Sequence, residues 1–194
     1  MLSRRIPRSL LRFAPAALIA LGVVGTVAEL RHQGRIWWCA CRSLNPWHGD
    51  IWSAHCSQHL FDPYSFTHVL HGVVFCGILA LLLPKLAPRW KLVIVVLLEC
   101  FWEMLENSQL VIQRYREATI GLGYEGDSIV NSLSDILCCV TGFLLASRLK
   151  LRGSLVLFIT VELILLLWIR DNLSLNVLML LVPIDAIKRW QMVH

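Results

Sequence analysis

The sequence predicts an all-α protein: a polytopic membrane bundle of about six crossing helices, one integral membrane domain over residues 1–194, with both ends cytoplasmic. Three observations carry this reading. Hydrophobic residues make up 57% of the chain and charged ones 16%, against about 45–50% and about 25% in soluble domains. The apolar residues come in long runs, and the basic residues stand in short clusters between them. Such a composition excludes a disordered chain, a disulfide-rich secreted scaffold and a cytosolic enzyme. The net charge of +5 follows from membrane orientation rather than from a nucleic-acid partner.

A crossing helix needs roughly 20 mostly apolar residues. The candidates in order are Phe13–Leu30, Thr67–Leu83, Leu92–Ile112, Ser128–Ser147, Ser154–Ile169 and Leu173–Ile187. The first follows a basic start, as in a signal peptide, and Thr26-Val27-Ala28 resembles a cleavage site. Because 16 uncharged residues lie between Arg12 and Glu29 and further spans follow, it is expected to stay as a span. Only Arg170, Asp171 and Asn172 separate the fifth span from the sixth, which suits a tight helical hairpin. The sixth, at 15 residues, covers about 22 Å of a ~30 Å core, and Pro183 shortens its regular part. The alternative is five spans plus a re-entrant or interfacial last segment.

Lys and Arg set the orientation. Twelve of the 18 fall in one set of loops: Arg4, Arg5, Arg8, Arg12; Lys85, Arg89, Lys91; Arg148, Lys150, Arg152; Lys188, Arg189. The other six, Arg31, Arg35, Arg42, Arg114, Arg116 and Arg170, fall in the opposite set. The richer set marks the cytoplasm and the cell inner membrane as the location. Residues 31–66 then form an outer, periplasmic loop whose Trp37, Trp38, Trp47 and Trp52 suit the headgroup level. Its Cys39 and Cys41 are too close for a comfortable disulfide, Cys56 pairing with either would leave an odd thiol, and no CxxC motif is present. In the second outer loop, 113–127, Gly121, Gly123 and Gly126 mark turns without phosphate-loop spacing.

Ionisable residues inside the spans carry the functional signal, since each costs several kcal/mol unless it meets a partner or a cavity. Glu99, Glu103 and Glu106, with Asn107, line one face of the third span; Asp127, Asn131 and Asp135 line one face of the fourth. His68 and His71 open the second span, and His55 and His59 lie just upstream. The topology brings these stripes to the outer half of the bilayer, with Arg114 and Arg116 above and Glu99 and Asp135 deepest. Three readings follow: an envelope enzyme on a lipid or lipid-linked headgroup, a proton- or ion-coupled transporter, and a structural cluster in which Arg114 or Arg116 answers the glutamates.

In the enzyme reading His68 and His71, assisted by His55 and His59, hold a divalent transition metal such as zinc or orient the headgroup. Glu103 and Glu106 give acid/base chemistry, Asp127 and Asp135 complete the catalytic set, and Asn107, Asn131, Arg114 and Arg116 bind substrate, the arginines neutralising a phosphate. Membrane lipids are the expected partners. Glu162 stands alone in the fifth span, where a helix-packing contact is expected.

Several stretches resemble a bacterial family of multi-pass membrane proteins, UPF0314. They are Ser57-Gln-His-Leu-Phe-Asp-Pro-Tyr-Ser-Phe-Thr-His68-Val-Leu-His71-Gly, Glu103-Met-Leu-Glu-Asn107 with Arg114-Tyr-Arg-Glu-Ala-Thr, and Gly126-Asp-Ser-Ile-Val-Asn131-Ser-Leu-Ser-Asp135. The ending from Asn172 through Pro183 to Gln191 resembles it too. The resemblance implies a cell-membrane protein and assigns no activity. The order of a His motif, a Glu-rich span and a Gly-Asp span is more loosely similar to VanZ-like proteins.

Overall fold

A computed structural model describes residues 8–121 and 123–193; Arg4 and Arg5 of the amino-terminal basic cluster, Leu122 of the Gly-rich loop and His194 lie outside the described residues. The described chain is all-helical: α1 (Arg8–His32), α2 (Ser65–Leu82), α3 (Pro88–Glu106), α4 (Gln109–Ala118), α5 (Ile129–Ile169), α6 (Leu173–Leu181) and α7 (Asp185–Met192). Three of these contain segments long and apolar enough to cross a membrane: Phe13–His32, Ser65–Leu82 and Ile129–Ile169. α3, at 19 residues, is about 28 Å long but carries Arg89, Lys91 and three glutamates.

The predicted run Leu92–Ile112 is broken. Asn107 leaves the helix at φ −80°, ψ 0°. Ser108 turns extended and its hydroxyl accepts from the Val111 amide, starting α4 with an N-cap. The amphipathic α4 then lies on the bundle with Val111, Ile112, Tyr115 and Ala118 inward. Conversely, the fourth and fifth predicted spans join as α5, interrupted at Lys150, whose backbone sits at φ 59°, ψ −174°. The Ser154 hydroxyl donates to the Ala146 carbonyl at 3.3 Å, although eight residues of straight helix would separate them by about 12 Å. Residues 129–149 and 151–169 therefore form a hairpin.

Both ends of that hairpin meet the 31–66 loop. The Ser128, Ile129 and Val130 amides donate to the Ser57, Ile36 and Trp37 carbonyls. Trp168 stacks on Trp47 at 6.0 Å, and Tyr64 Oη donates to Asp171 at 3.2 Å. The other end of the bundle holds the α2–α3 turn and Lys150.

α2 packs most closely on the first half of α5, through two glycines. A Cβ on Gly72 would strike the Cys139 carbonyl, and one on Gly142 would strike the Val69 carbonyl. This small-residue contact is the usual way two helices approach closely where lipid supplies no hydrophobic drive. Beneath it, Leu79, Val95, Cys139 and Phe143 form one apolar cluster and Val96, Cys100 and Ile136 another.

The last segment is not one continuous helix. α6 has nine residues, about 14 Å. Asn172 caps it, accepting from the Leu175 amide at 2.8 Å. Glu162 has a definite role here: its carboxylate accepts from the Leu173 and Ser174 amides at 2.9 and 3.1 Å, an anion at a helix N-terminus. After Pro183, α7 brings the chain back. Gln191 donates to the Arg170 carbonyl and to Asp171 at 3.0 and 3.1 Å, and the Arg170 guanidinium donates to the Trp190 and Val193 carbonyls. α6 is too short to carry the chain to the other end of the bundle, and α7 is clasped at the loop end.

Gly142→Ala is expected to cost about 1–3 kcal/mol by forcing the helices apart, read as a lower Tm in detergent; an unchanged Tm would remove the close-contact account. Asp171 is buried at the clasp, and burial pushes its carboxyl up to about 6 against the donors around it. The folded chain binds this proton more tightly than the unfolded chain does. The stabilisation is therefore complete below the ordinary value of 3.8 and is lost as pH rises through about 6. Asp171→Asn is expected to be more stable than wild type above that pH by up to roughly 3 kcal/mol, with the difference vanishing at low pH.

Candidate functional site

The site is built where α2, α3 and the start of α5 converge beneath the loop. α2 contributes His68 and His71 one turn apart. α3 contributes Glu99, Glu103 and Glu106 on one face, and α5 contributes Asn131 and Asp135 on one face, with Asp127 just before it. Glu99 and Glu103 have no exposed surface at all, and His68, Asp127 and Asp135 are nearly as deep.

Glu99 joins the two imidazoles. His68 Nδ1 lies 2.6 Å from its Oε1, and His71 Nδ1 lies 3.0 and 3.2 Å from its two oxygens. A carboxylate can only accept, so both Nδ1 atoms carry hydrogen. A carboxylate behind a histidine in this manner is the arrangement that fixes metal-binding imidazoles. His68 Nδ1 is also 3.4 Å from Glu103, and its Nε2 is 3.8 Å from Asp135 Oδ2. Ligand-type atoms of His68, Glu103 and Asp135 lie within 4.8 Å of one another, as do those of His68, His71 and Glu99 and those of Glu103, Glu106 and Asp127.

Acceptors outnumber donors in this nest. Both carboxylate oxygens of Glu103, Oε2 of Glu106 and Oδ1 of Asp135 are buried without a hydrogen-bond partner. Buried polar atoms are rarely left so. No Lys or Arg among the described residues forms an ion pair with these carboxylates.

Above the nest opens a cavity of about 1120 Å³. His68, His71, Glu106, Asp127 and Asp135 line its polar side; Phe75, Leu98, Phe101, Trp102 and Val177 line its apolar side; residues 51–58 roof it. It is amphipathic and large enough for a headgroup with part of an acyl chain.

The remaining predicted residues divide. Asn107 is a lock: its amide donates to the Asp127 carboxylate at 2.9 Å and its carbonyl accepts from the Asp127 backbone amide at 2.7 Å. Tyr124 Oη donates to Asp127 from the other side at 2.9 Å. Burial nonetheless pushes the Asp127 carboxyl up to about 6. Asn131 holds the loop, donating to the His59 and Leu60 carbonyls at 2.9 and 3.5 Å. Arg114 donates to the Leu180 and Leu181 carbonyls and Arg116 to the Tyr124 carbonyl, and neither is on the cavity wall. The cation on that wall is Arg35, held at the Glu125 and Gln33 carbonyls with its Nε buried and unpaired. His55 and His59 turn to Cys39 and Cys41 instead of joining His68 and His71.

Sequence reasoning placed Glu99 at the floor without seeing that it orders both histidines, and it passed over Arg35 and Tyr124. The i, i+4 spacing of Glu99 with Glu103 was the available signal for the first. A loop arginine and tyrosine give none.

The family model described as protein of unknown function (DUF2585) matches residues 30–193. The chain is 46% identical over 180 residues to a UPF0314 protein of Paracoccus denitrificans, covering 93% of each. It is 47% identical over 176 residues to one of Sphingopyxis alaskensis, covering 91% of this chain and 92% of that one. The chain belongs to the UPF0314 family. UPF0314 protein R03235 of Rhizobium meliloti is 44% identical over 175 residues, 90% of this chain and 89% of its own. The looser VanZ-like resemblance finds no counterpart among these UPF0314 relatives, and no solved structure matches.

Asn131→Ala strips two carbonyls of their buried donor and is expected to cost about 1–3 kcal/mol. The same change is expected to speed protease cleavage within residues 55–60; cleavage at the wild-type rate would show that Asn131 does not hold the loop.

Proposed function

We propose that this UPF0314 protein is a multi-pass protein of the bacterial inner membrane and an envelope enzyme acting at the outer leaflet on a lipid or lipid-linked headgroup. Five crossings fit the helices best: α1, α2, α3 and the two halves of α5. The amino end is then cytoplasmic, and the loop end and carboxyl end are external. This moves Lys188 and Arg189 outside and leaves ten basic residues within against eight without. The sign of the bias survives.

The single observation that carries the enzyme reading is Glu99 accepting from both histidines while the carboxylate oxygens around them stay unpaired. Unpaired buried carboxylates call for a cation or protons, and imidazoles held from behind by the Glu99 carboxylate favour a metal. His68, Glu103 and Asp135 would hold a divalent transition ion such as zinc, with His71 beside it; the ion would supply Lewis-acid polarisation of a phosphoryl or carbonyl oxygen. Glu106, on the cavity wall with one free oxygen, is the general base for a water or a headgroup hydroxyl. Arg35 takes the phosphate-neutralising role first assigned to Arg114 and Arg116. The apolar side of the cavity receives acyl or isoprenoid carbon.

The apolar clusters packed under the nest disfavour the transporter alternative, since a relay needs polar groups there. The free oxygens disfavour the purely structural one, because a cluster that only ties helices would be satisfied.

A deletion strain is expected to show altered envelope lipids, restored by the wild-type gene. His71→Ala and Glu106→Gln variants that insert normally are not expected to restore them, loss of a general base costing about 10²–10⁴ in rate. Full rescue by Glu106→Gln would overturn the catalytic assignment. Flux of protons or ions through reconstituted vesicles, lost on Glu103→Gln, would favour the transporter.

A further inference from the structure

The 31–66 loop contains a second cluster of ligand-type atoms, separate from the nest. We propose that Cys39, Cys41, His55 and His59 form a Cys₂His₂ zinc site that staples the roof of the cavity.

The geometry is specific. Cys39 Sγ lies 3.3 Å from His55 Nδ1, and Cys41 Sγ lies 3.4 Å from His59 Nε2. A tetrahedral zinc with Zn–S of about 2.3 Å and Zn–N of about 2.0 Å sets neighbouring S and N atoms about 3.5 Å apart. Sγ of Cys39, Sγ of Cys41 and Nδ1 of His55 already lie within 4.8 Å of one another. His59 joins through Cys41, and ion binding draws its ring, centred 6.5 Å from that of His55, toward the other three.

His59 is prepared for the role. Its Nδ1 is 2.6 Å from the Asn45 carbonyl, which can only accept. The proton is thereby fixed on Nδ1, and the lone pair of Nε2 points at Cys41, the second-shell arrangement of ligating histidines. His48 stacks on the same ring at 5.4 Å, its own Nε2 buried without a partner. The thiols are free, and Cys39 and Cys41, one residue apart, are poorly placed to close on each other. Two thiolates and two imidazoles select zinc over the harder ions that suit carboxylates.

The consequence is mechanical. Residues 38–56 form no helix, and the segment is tied to α5 by backbone hydrogen bonds at its ends, through the Trp37 and Ser57 carbonyls, and by the stacking of Trp47 on Trp168. Cys39 and Cys41 come from its beginning, His55 from its end and His59 from just beyond it. An ion between them closes the segment on itself and fixes Cys39 and residues 51–58 over the cavity. The site is independent of the nest and survives if the enzyme reading fails.

The test is cobalt titration of the full-length protein, purified in detergent with thiols kept reduced. A thiolate-to-cobalt charge-transfer band is expected in the near ultraviolet, competed away by zinc. Such a band reports sulfur ligands and is blind to the nitrogen and oxygen ligands of the nest. The C39S/C41S double variant is expected to lose it; Cys41→Ser alone, if the double variant does not accumulate, is expected to weaken zinc binding by more than about 100-fold. Cys56→Ser and Glu103→Gln are expected to keep the band, and a chelator is expected to speed cleavage between residues 42 and 54. Cobalt binding without the band, a band that survives C39S/C41S, or a Cys39–Cys41 disulfide trapped by alkylation directly from membranes would overturn the proposal.

Discussion

The arrangement depends on one electrostatic constraint. Five carboxylates, those of Glu99, Glu103, Glu106, Asp127 and Asp135, are gathered around two imidazoles, and among the described residues no Lys or Arg is paired to them. Taking a carboxylate out of water costs several kcal/mol even after the protein relaxes, so stability alone would not assemble such a group. Glu99 is answered by two N–H donors and Asp127 by an amide and a phenol, whereas Glu103 is answered by almost nothing. The satisfied carboxylates position their neighbours, and the unsatisfied ones are available for chemistry.

Holding the group together demands stiffness from the surrounding helices. The glycine contact between α2 and α5 fixes the separation of His68 from Asp135 to within the thickness of a side chain, since the backbones already touch. The Asn107–Asp127 lock ties the end of α3 to the start of α5 at the same level. α4, α6 and α7 close the other flank: Tyr115 donates to Asn176 and Lys188 to the Glu117 carbonyl. These short helices are thus fastened by side-chain hydrogen bonds, several of them to backbone carbonyls.

Much of this was legible in the sequence. The three polar stripes followed from helical periodicity alone, because a charge in an apolar run has few places to go. Their convergence followed from the alternation of helix directions. Less legible was where helices stop. An Asn-Ser pair inside the third apolar run broke it, since a serine that can cap a helix competes with continuing it. The turn at Lys150 was legible, because the basic cluster Arg148, Lys150 and Arg152 separates two apolar runs. The final segment was hardest: composition made Leu173–Ile187 apolar, but its fate was set by Arg170 and Asp171, which clasp Trp190 and Gln191 of α7 from 20 residues away. The arginines misled for a related reason. Their charge suggested phosphate, yet Arg114 and Arg116 spend their donors on backbone carbonyls that local sequence does not reveal.

The histidines show how two sites can be mistaken for one. His55, His59, His68 and His71 stand within 17 residues of one another and read as a single set. The chain reverses direction between them at Asp62, which accepts from the Ser57, Tyr64 and Ser65 amides and closes a turn. That turn sends the upstream pair to the sulfurs and the downstream pair to the carboxylates. The division sorts donors by softness, thiolate with imidazole above and carboxylate with imidazole below, so ions reaching the two places would differ in affinity and in chemistry. The upper set, with His59 tied to the Asn45 carbonyl, suits a permanent brace. The lower set, with free oxygens and an open cavity, suits an ion that must leave a coordination position for substrate.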